Sequence, residues 1–180
     1  MKLFFSVFAL CFALSTQLSE THQCDFISLQ KSDDTIQVTP DFSKIKIDHA
    51  REYVQSIYPF AAQVEKAHRI PAPVTIAIAC VESGYGRSYF ARTRFNHLGI
   101  RVYHEGKPGY RCFKSTEECF NYYSNMFKKE RYLPLQEIEG SDLETWVRGL
   151  HLCGYNHREK YIKKIMTIIN FNNLDELLVT

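Results

Sequence analysis

The chain has 180 residues, 45% of them apolar and 14% aromatic, enough to build the core of one ordinary domain with room for an N-terminal extension. Its 22 basic and 20 acidic residues nearly cancel, to a formal charge of +2. That balance argues against a protein drawn to nucleic acid by charge, and no nucleic-acid partner is expected.

Residues 1–15, MKLFFSVFALCFALS, predict a secretory leader. Lys2 supplies the positive start, and Leu3 to Leu14 form an apolar stretch too short for a comfortable membrane span. Ala13 and Ser15 are the small residues of a cleavage site after Ser15. A retained membrane anchor is the competing reading. No later stretch is apolar for long enough to cross a bilayer, so no stable membrane insertion is expected once the leader is removed. The mature chain is then secreted or periplasmic. Residues 16–47 are polar and mixed, and read as a linker or N-terminal arm ahead of a folded domain over 48–180.

From Asp48 to His68, Ala50, Tyr53, Val54, Ile57, Phe60, Ala61, Val64 and Ala67 recur at helical spacing. Asp48 is placed to cap this helix, and Pro59 to bend or split it. The next segment, VTIAIACVES, suits a buried strand by its β-branched residues and a short buried helix by its length. Pro71 and Pro73 supply a helix start and Gly84 a stop, which favours helix. Residues 88–94 have room for one or two further turns. In IRVYHEGKPGYRCF, breakers around HEGKPG separate short extended pieces and predict a small β-hairpin. The remainder reads as helical. Ser115 with Glu118 and Ser141 with Glu144 form capping-box patterns, and Asn156 is placed to cap a last helix carrying Tyr161, Ile162, Ile165, Met166 and Ile169. The expected class is α+β, mostly α, with one hairpin inserted.

Without the leader, five cysteines remain: Cys24, Cys80, Cys112, Cys119 and Cys153. The odd number leaves at least one unpaired within the chain, and Cys112 with Cys119 or Cys153 are the pairings considered. The His and Cys positions have no metal-ligand spacing, and no cofactor is expected.

The segment VESGYGRS, residues 81–88, carries the chemistry. Glu82 ends an apolar run beside a glycine-rich break, and lost solvation there favours the protonated form of a carboxyl. A protonated carboxyl can donate to a leaving oxygen, as glycoside cleavage requires. Glu82 reads otherwise as a helix-end charge paired with a neighbour such as Arg87. The hairpin following it is placed to form a second wall.

Together, Glu82-Ser83-Gly84-Tyr85-Gly86, then Asn96, Gly99, Ile100 and Arg101, then Arg131-Tyr132, then Gly154-Tyr155 and Tyr161, resemble the ordered motifs of the bacterial glucosaminidase family. Leu98 takes the place of an aromatic and Cys153 that of an alanine. The resemblance covers roughly residues 50–178 and implies a lysozyme-like helical domain with a small β-hairpin lobe. It also implies a peptidoglycan hydrolase that works without a cofactor, with glycan strands as partner and a monomeric state. On this resemblance Glu82 is the catalytic acid. Glu105, the acidic residue of the hairpin, is the candidate second carboxylate, and reads equally as a solvated turn residue. Tyr161 is the candidate for positioning water or an acetamido group. Tyr85, Asn96 and Tyr155 are candidates for substrate binding, although Tyr85 also suits the core and Asn96 a turn. His97 and His104 read as surface or satisfied histidines. Three rivals stand beside hydrolysis: a lytic transglycosylase using the same acid, a cysteine-based amidase or peptidase built on Cys80, and a glycan-binding domain without catalysis.

Overall fold

The computed structural model describes residues 40–178, so the leader reading on 1–15, most of the arm and Cys24 lie outside the described residues. Six helices and one hairpin follow in order. They are α1 (Asp48–His68), α2 (Ala72–Ser83), α3 (Tyr89–Arg94), β1 (Arg101–His104), β2 (Lys107–Tyr110), α4 (Thr116–Met126), α5 (Leu143–Leu152) and α6 (Glu159–Phe171). Two 3₁₀ segments, Glu130–Glu137 and Leu174–Leu177, complete the set.

The apolar run forms α2, the central helix. Pro73 lies in its first turn, and Gly84 ends it in the left-handed region, donating its N–H to the Cys80 carbonyl. Val74, Ile76 and Ile78 cost some helix propensity, but they are wholly buried, as are Ala77 and Ala79. A helix apolar on all sides must be enclosed, and α1, α5, α6 and the Leu174–Leu177 segment pack around this one. The core also takes in Ile45 and seats Phe42 at its edge, so packing begins ahead of Asp48.

Pro59 does not split α1, which runs unbroken to His68. Pro59 and Gln55 are both exposed, so the Gln55 carbonyl that loses its intrahelical donor faces water. Asp48 is the first residue of the helix rather than its cap. Ile47 precedes it without a side-chain bond, and the Asp48 carboxylate pairs with Arg51. The Ser115 cap forms, with the Ser115 hydroxyl accepting from Glu118 N–H at 3.1 Å. The Ser141 cap shifts by one residue: the Asp142 carboxylate accepts from Thr145 N–H at 3.0 Å, and Glu144 instead pairs with Arg148. Asn156 orders the turn before α6 by accepting from Arg158 N–H at 3.0 Å, and Arg158 occupies the cap position.

The antiparallel hairpin pairs Arg101 with Tyr110 and His104 with Lys107. Glu105 and Gly106 both have positive φ, the two-residue turn whose twist matches that of the strands. Tyr110 stacks on Phe90 of α3 at 4.2 Å, and Arg94 donates to the Tyr110 carbonyl at 3.2 Å, tying the hairpin to the residues that follow Glu82. The considered disulfides are absent: Cys80, Cys112, Cys119 and Cys153 all carry free thiols. Cys80 and Cys119 are enclosed by the core, whereas Cys112 is exposed.

Candidate active site

Glu82 projects from the last turn of α2. The burial expected from the apolar run falls on the residues before it; Glu82 itself is exposed. Its carboxyl is held by contact rather than by enclosure. Tyr161, one turn into α6, donates its hydroxyl to Glu82 Oε1 at 2.8 Å. On its other side the carboxyl lies against Gly99, where a Cβ would overlap Oε2 and come within 3.0 Å of Cδ. Gly99 also has φ +62°, so its lack of a side chain serves both the backbone turn and the close approach.

Burial first, and then the Glu82 charge, push the Tyr161 phenol well above its ordinary range, so it remains an O–H donor. Tyr155 stands behind it, half-buried, with ring centroids 6.4 Å apart. Its ring is stacked at 6.2 Å on Phe127 and lies edge-on to Tyr123 at 6.1 Å. Tyr155 is thus a support for Tyr161, and desolvation holds its phenol protonated too. Arg131 and Tyr132 are joined at 2.6 Å, with the Tyr132 ring against Phe127 at the far end of this aromatic stack.

Two expected substrate contacts carry structural duties. Asn96 is 1% exposed and spends its amide within the fold. Its Nδ2 donates to the carbonyls of Ile100 at 2.8 Å and Arg111 at 2.9 Å, and its Oδ1 accepts from Ile100 N–H at 2.9 Å. These bonds close the hairpin at its foot and leave neither donor hydrogen free for a sugar. The Tyr85 hydroxyl accepts from Asn172 at 3.0 Å, and its ring lies edge-on to His49 and Tyr53, pinning the turn after α2 to α1 and the end of α6.

Glu105 sits exposed at the hairpin tip, one four-residue strand beyond the loop that touches Glu82, or about 13 Å of extended chain. The charge of Glu82, and of no other carboxylate among the described residues, bears on Tyr155 and Tyr161. Cys80 lies inside α2, 1% exposed, and burial pushes its thiol well above the ordinary range, which removes the basis for a cysteine nucleophile.

Two surface hollows lie apart from this point. One of about 420 Å³ is lined by Arg148, His151 and Glu159 among others, and one of about 330 Å³ by Val81, Lys164 and Ile168 among others. Neither includes Glu82. We place the site at Glu82 because there a carboxyl meets an aligned phenol donor.

From the sequence Tyr53 reads as part of the apolar face of α1, Ser83 as part of the motif around Glu82 and His97 as surface or satisfied, while Thr116 carries no reading. All four join in one hydrogen-bonded line next to Glu82. The only signal for it was the clustering of polar residues on either side of Gly99 and Glu82.

Acid cleavage of a polymer needs a carboxyl on an open face whose geometry is fixed from behind. On a helical body with one hairpin lobe, this arrangement places the chain among lysozyme-like glycoside hydrolases. The comparisons narrow that class. Residues 58–174 match the Glucosaminidase model, described as mannosyl-glycoprotein endo-beta-N-acetylglucosaminidase, and the chain belongs to this family. It is 25% identical over 147 residues to the peptidoglycan hydrolase FlgJ of Vibrio parahaemolyticus, a match covering 68% of this chain and 47% of that protein. The chain therefore spans about half the length of the curated relatives it matches. Among solved structures it resembles a protein described as N-acetylmuramoyl-L-alanine amidase from Staphylococcus aureus. There the TM-score is 0.62 and the identity 26%, over 74% of this chain and 44% of that one. A peptidoglycan hydrolase from Sphingomonas sp. A1 shares the fold with TM-score 0.58 and 24% identity, over 68% of this chain and 89% of that one.

Proposed function

We propose that this chain hydrolyses the β-1,4 glycosidic bond next to N-acetylglucosamine in peptidoglycan, with Glu82 as the general acid. The observation that carries the reading is the Tyr161–Glu82 hydrogen bond, made between helices 79 residues apart in sequence. Because Tyr161 donates to Oε1, the transferable proton belongs on Oε2, the oxygen over Gly99. Oε2 gives that proton to the glycosidic oxygen as the C–O bond breaks and positive charge develops on the sugar.

The second role falls to the substrate's own acetamido group in this reading, with Glu105, exposed at the hairpin tip, as the alternative that would activate water. The acetamido carbonyl oxygen bonds to the anomeric carbon as the leaving sugar departs. The Glu82 carboxylate then takes a proton from the water that opens the resulting ring. Tyr161 holds the carboxyl through both steps. The substrate assignment draws on the family and on the FlgJ relative. The leader pattern in residues 1–15 supports a secreted or periplasmic enzyme.

The test is digestion of purified peptidoglycan by wild type and Glu82→Gln, with mass spectrometry of the product ends. Reducing N-acetylglucosamine ends are expected, with kcat lowered roughly 100- to 10,000-fold in the variant. Equal activity in the two proteins overturns the role of Glu82. Anhydro-sugar ends would assign a transglycosylase, and glycan binding without turnover would assign a binding domain.

A further inference from the structure

Ser83, directly after the catalytic acid, fixes the direction of a chain of hydrogen bonds. Its hydroxyl has one proton, given to the Ala79 carbonyl at 2.6 Å, since a carbonyl can only accept. Its oxygen accepts from Gly86 N–H at 2.7 Å. The Tyr53 hydroxyl, 2.9 Å away, therefore has to be a donor to Ser83. Once that single proton is spent, the Tyr53 oxygen can only accept from its other partner, His97 Nδ1, at 3.2 Å. Nδ1 then carries a hydrogen. In the neutral ring Nε2 is left as an acceptor for the Thr116 hydroxyl at 3.3 Å. The Tyr53 and His97 rings stack with centroids 5.8 Å apart, and a Cβ at Gly86 would strike the Tyr53 ring at 2.7 Å. Burial pushes the Tyr53 phenol up and the His97 imidazole down, which keeps both neutral.

We infer that His97, locked as its Nδ1–H tautomer, is a positioning residue for the catalytic acid. It acts through the line Thr116–His97–Tyr53–Ser83. The inference rests on the proposed role of Glu82. One end of the line holds Ser83, the residue after Glu82; further along it lies His97, two residues before the Gly99 that Glu82 lies against. Tyr53 anchors it to α1 and Thr116 to α4. The two backbone segments that flank the carboxyl are thus tied by side chains that do not touch it. A break in the line separates Gly99 from the end of α2, and Glu82 loses its alignment while the binding face keeps its shape.

The test has two arms. Nitrogen-15 NMR of the histidine ring in the wild-type protein reads the tautomer without any substrate. A protonated Nδ1 with an unprotonated Nε2 at neutral pH is expected. An Nε2–H tautomer, or rapid exchange between the two, overturns the assignment, even if the protein proves inactive on peptidoglycan. In the second arm, His97→Leu is expected to lower kcat roughly 10- to 100-fold, the cost of a small misplacement, with KM nearly unchanged. His97→Asn, whose amide restores a donor at the Nδ1 position, should recover most of that loss, whereas His97→Gln should not. Tyr53→Phe breaks the same line, so its effect should not add to that of His97→Leu. Additive effects, equal rescue by Asn and Gln, or a loss confined to KM overturn the positioning role. If His97→Leu fails to fold, the Asn and Gln pair and the NMR arm still decide the matter.

Discussion

Gly99→Ala probes how tightly the acid is held. The added methyl would overlap Glu82 Oε2 and lie 3.0 Å from Cδ and 3.3 Å from the Glu82 Cβ. Restoring ordinary carbon–carbon contact at about 3.5–4.0 Å moves the carboxyl by about 0.5–1 Å. The Tyr161 bond, 2.8 Å in the native protein, would then be forced out of the distance and angle of a good O–H···O bond. A displacement of this size at the reacting group costs about 100-fold in rate at most, so kcat should fall roughly 10- to 100-fold. A second cost is independent of the site. Alanine at φ +62° incurs about 1–2 kcal/mol of left-handed strain, which lowers the urea midpoint. Reducing-end release from purified peptidoglycan measures the first effect and urea unfolding followed by circular dichroism the second. A Gly99→Ala protein that is less stable yet retains wild-type kcat would refute the argument that Gly99 seats the carboxyl.

Tyr161→Phe removes the hydrogen bond to a carboxyl that becomes charged as it gives up its proton; such a bond is worth about 1.5–3 kcal/mol, so kcat should fall by about one to two decades with little change in the circular dichroism spectrum. Asn96→Ala leaves the Arg111 carbonyl and the Ile100 N–H without their partner and takes one of two donors from the Ile100 carbonyl. It should cost about 2–3 kcal/mol in urea unfolding and speed amide exchange in the hairpin; unchanged stability with raised KM would return Asn96 to the substrate. Glu105→Gln should keep kcat within about threefold of wild type on the same substrate, and a loss on the order of 100-fold would restore it as a second catalytic group. Burial holds the His97 pKa below its ordinary 6.5, so the unfolded chain takes up the proton first on acidification. Stability should therefore be complete above about pH 6.5 and decline below it; thermal melts between about pH 7 and 5 check this, and His97→Asn should flatten that slope.

The fold was legible wherever one local rule outweighed its rivals. Pro73 and Gly84 decided helix for α2 against the preference of Val74, Ile76 and Ile78 for strand, because burial of the whole segment outweighs small propensity differences. The hairpin was legible because Glu105-Gly106 supplies a turn that the flanking strands can use. Cap positions were less legible. Ser141 and Asp142 are adjacent and chemically equivalent as caps, and only the packing of Leu143 and Trp146 into the core selects the start of α5. Disulfides could not be read at all, because pairing depends on distances that cysteine spacing does not carry.

The site divides along the same line between local and remote. Glu82 was legible as a candidate because its motif is contiguous. The duty of Asn96 was not, because its partners Ile100 and Arg111 meet only when the hairpin closes. An amide that looks free in a turn is consumed once the strands pair. The apolar run before Glu82 misled in a more instructive way. Enclosure holds for most of α2, and for Cys80 and Ser83 in its last turn, but Glu82 lies on the side of that turn that opens to solvent. An exposed carboxyl would suit the proposed polymer substrate, since a closed pocket would exclude the strand. Its geometry must then come from contacts made by remote parts of the chain. Tyr161 directs one oxygen from the last helix, and Gly99 gives the other the room a side chain would occupy. In the proposed reaction the seat of the proton is set by these two residues, which stand 62 positions apart in sequence.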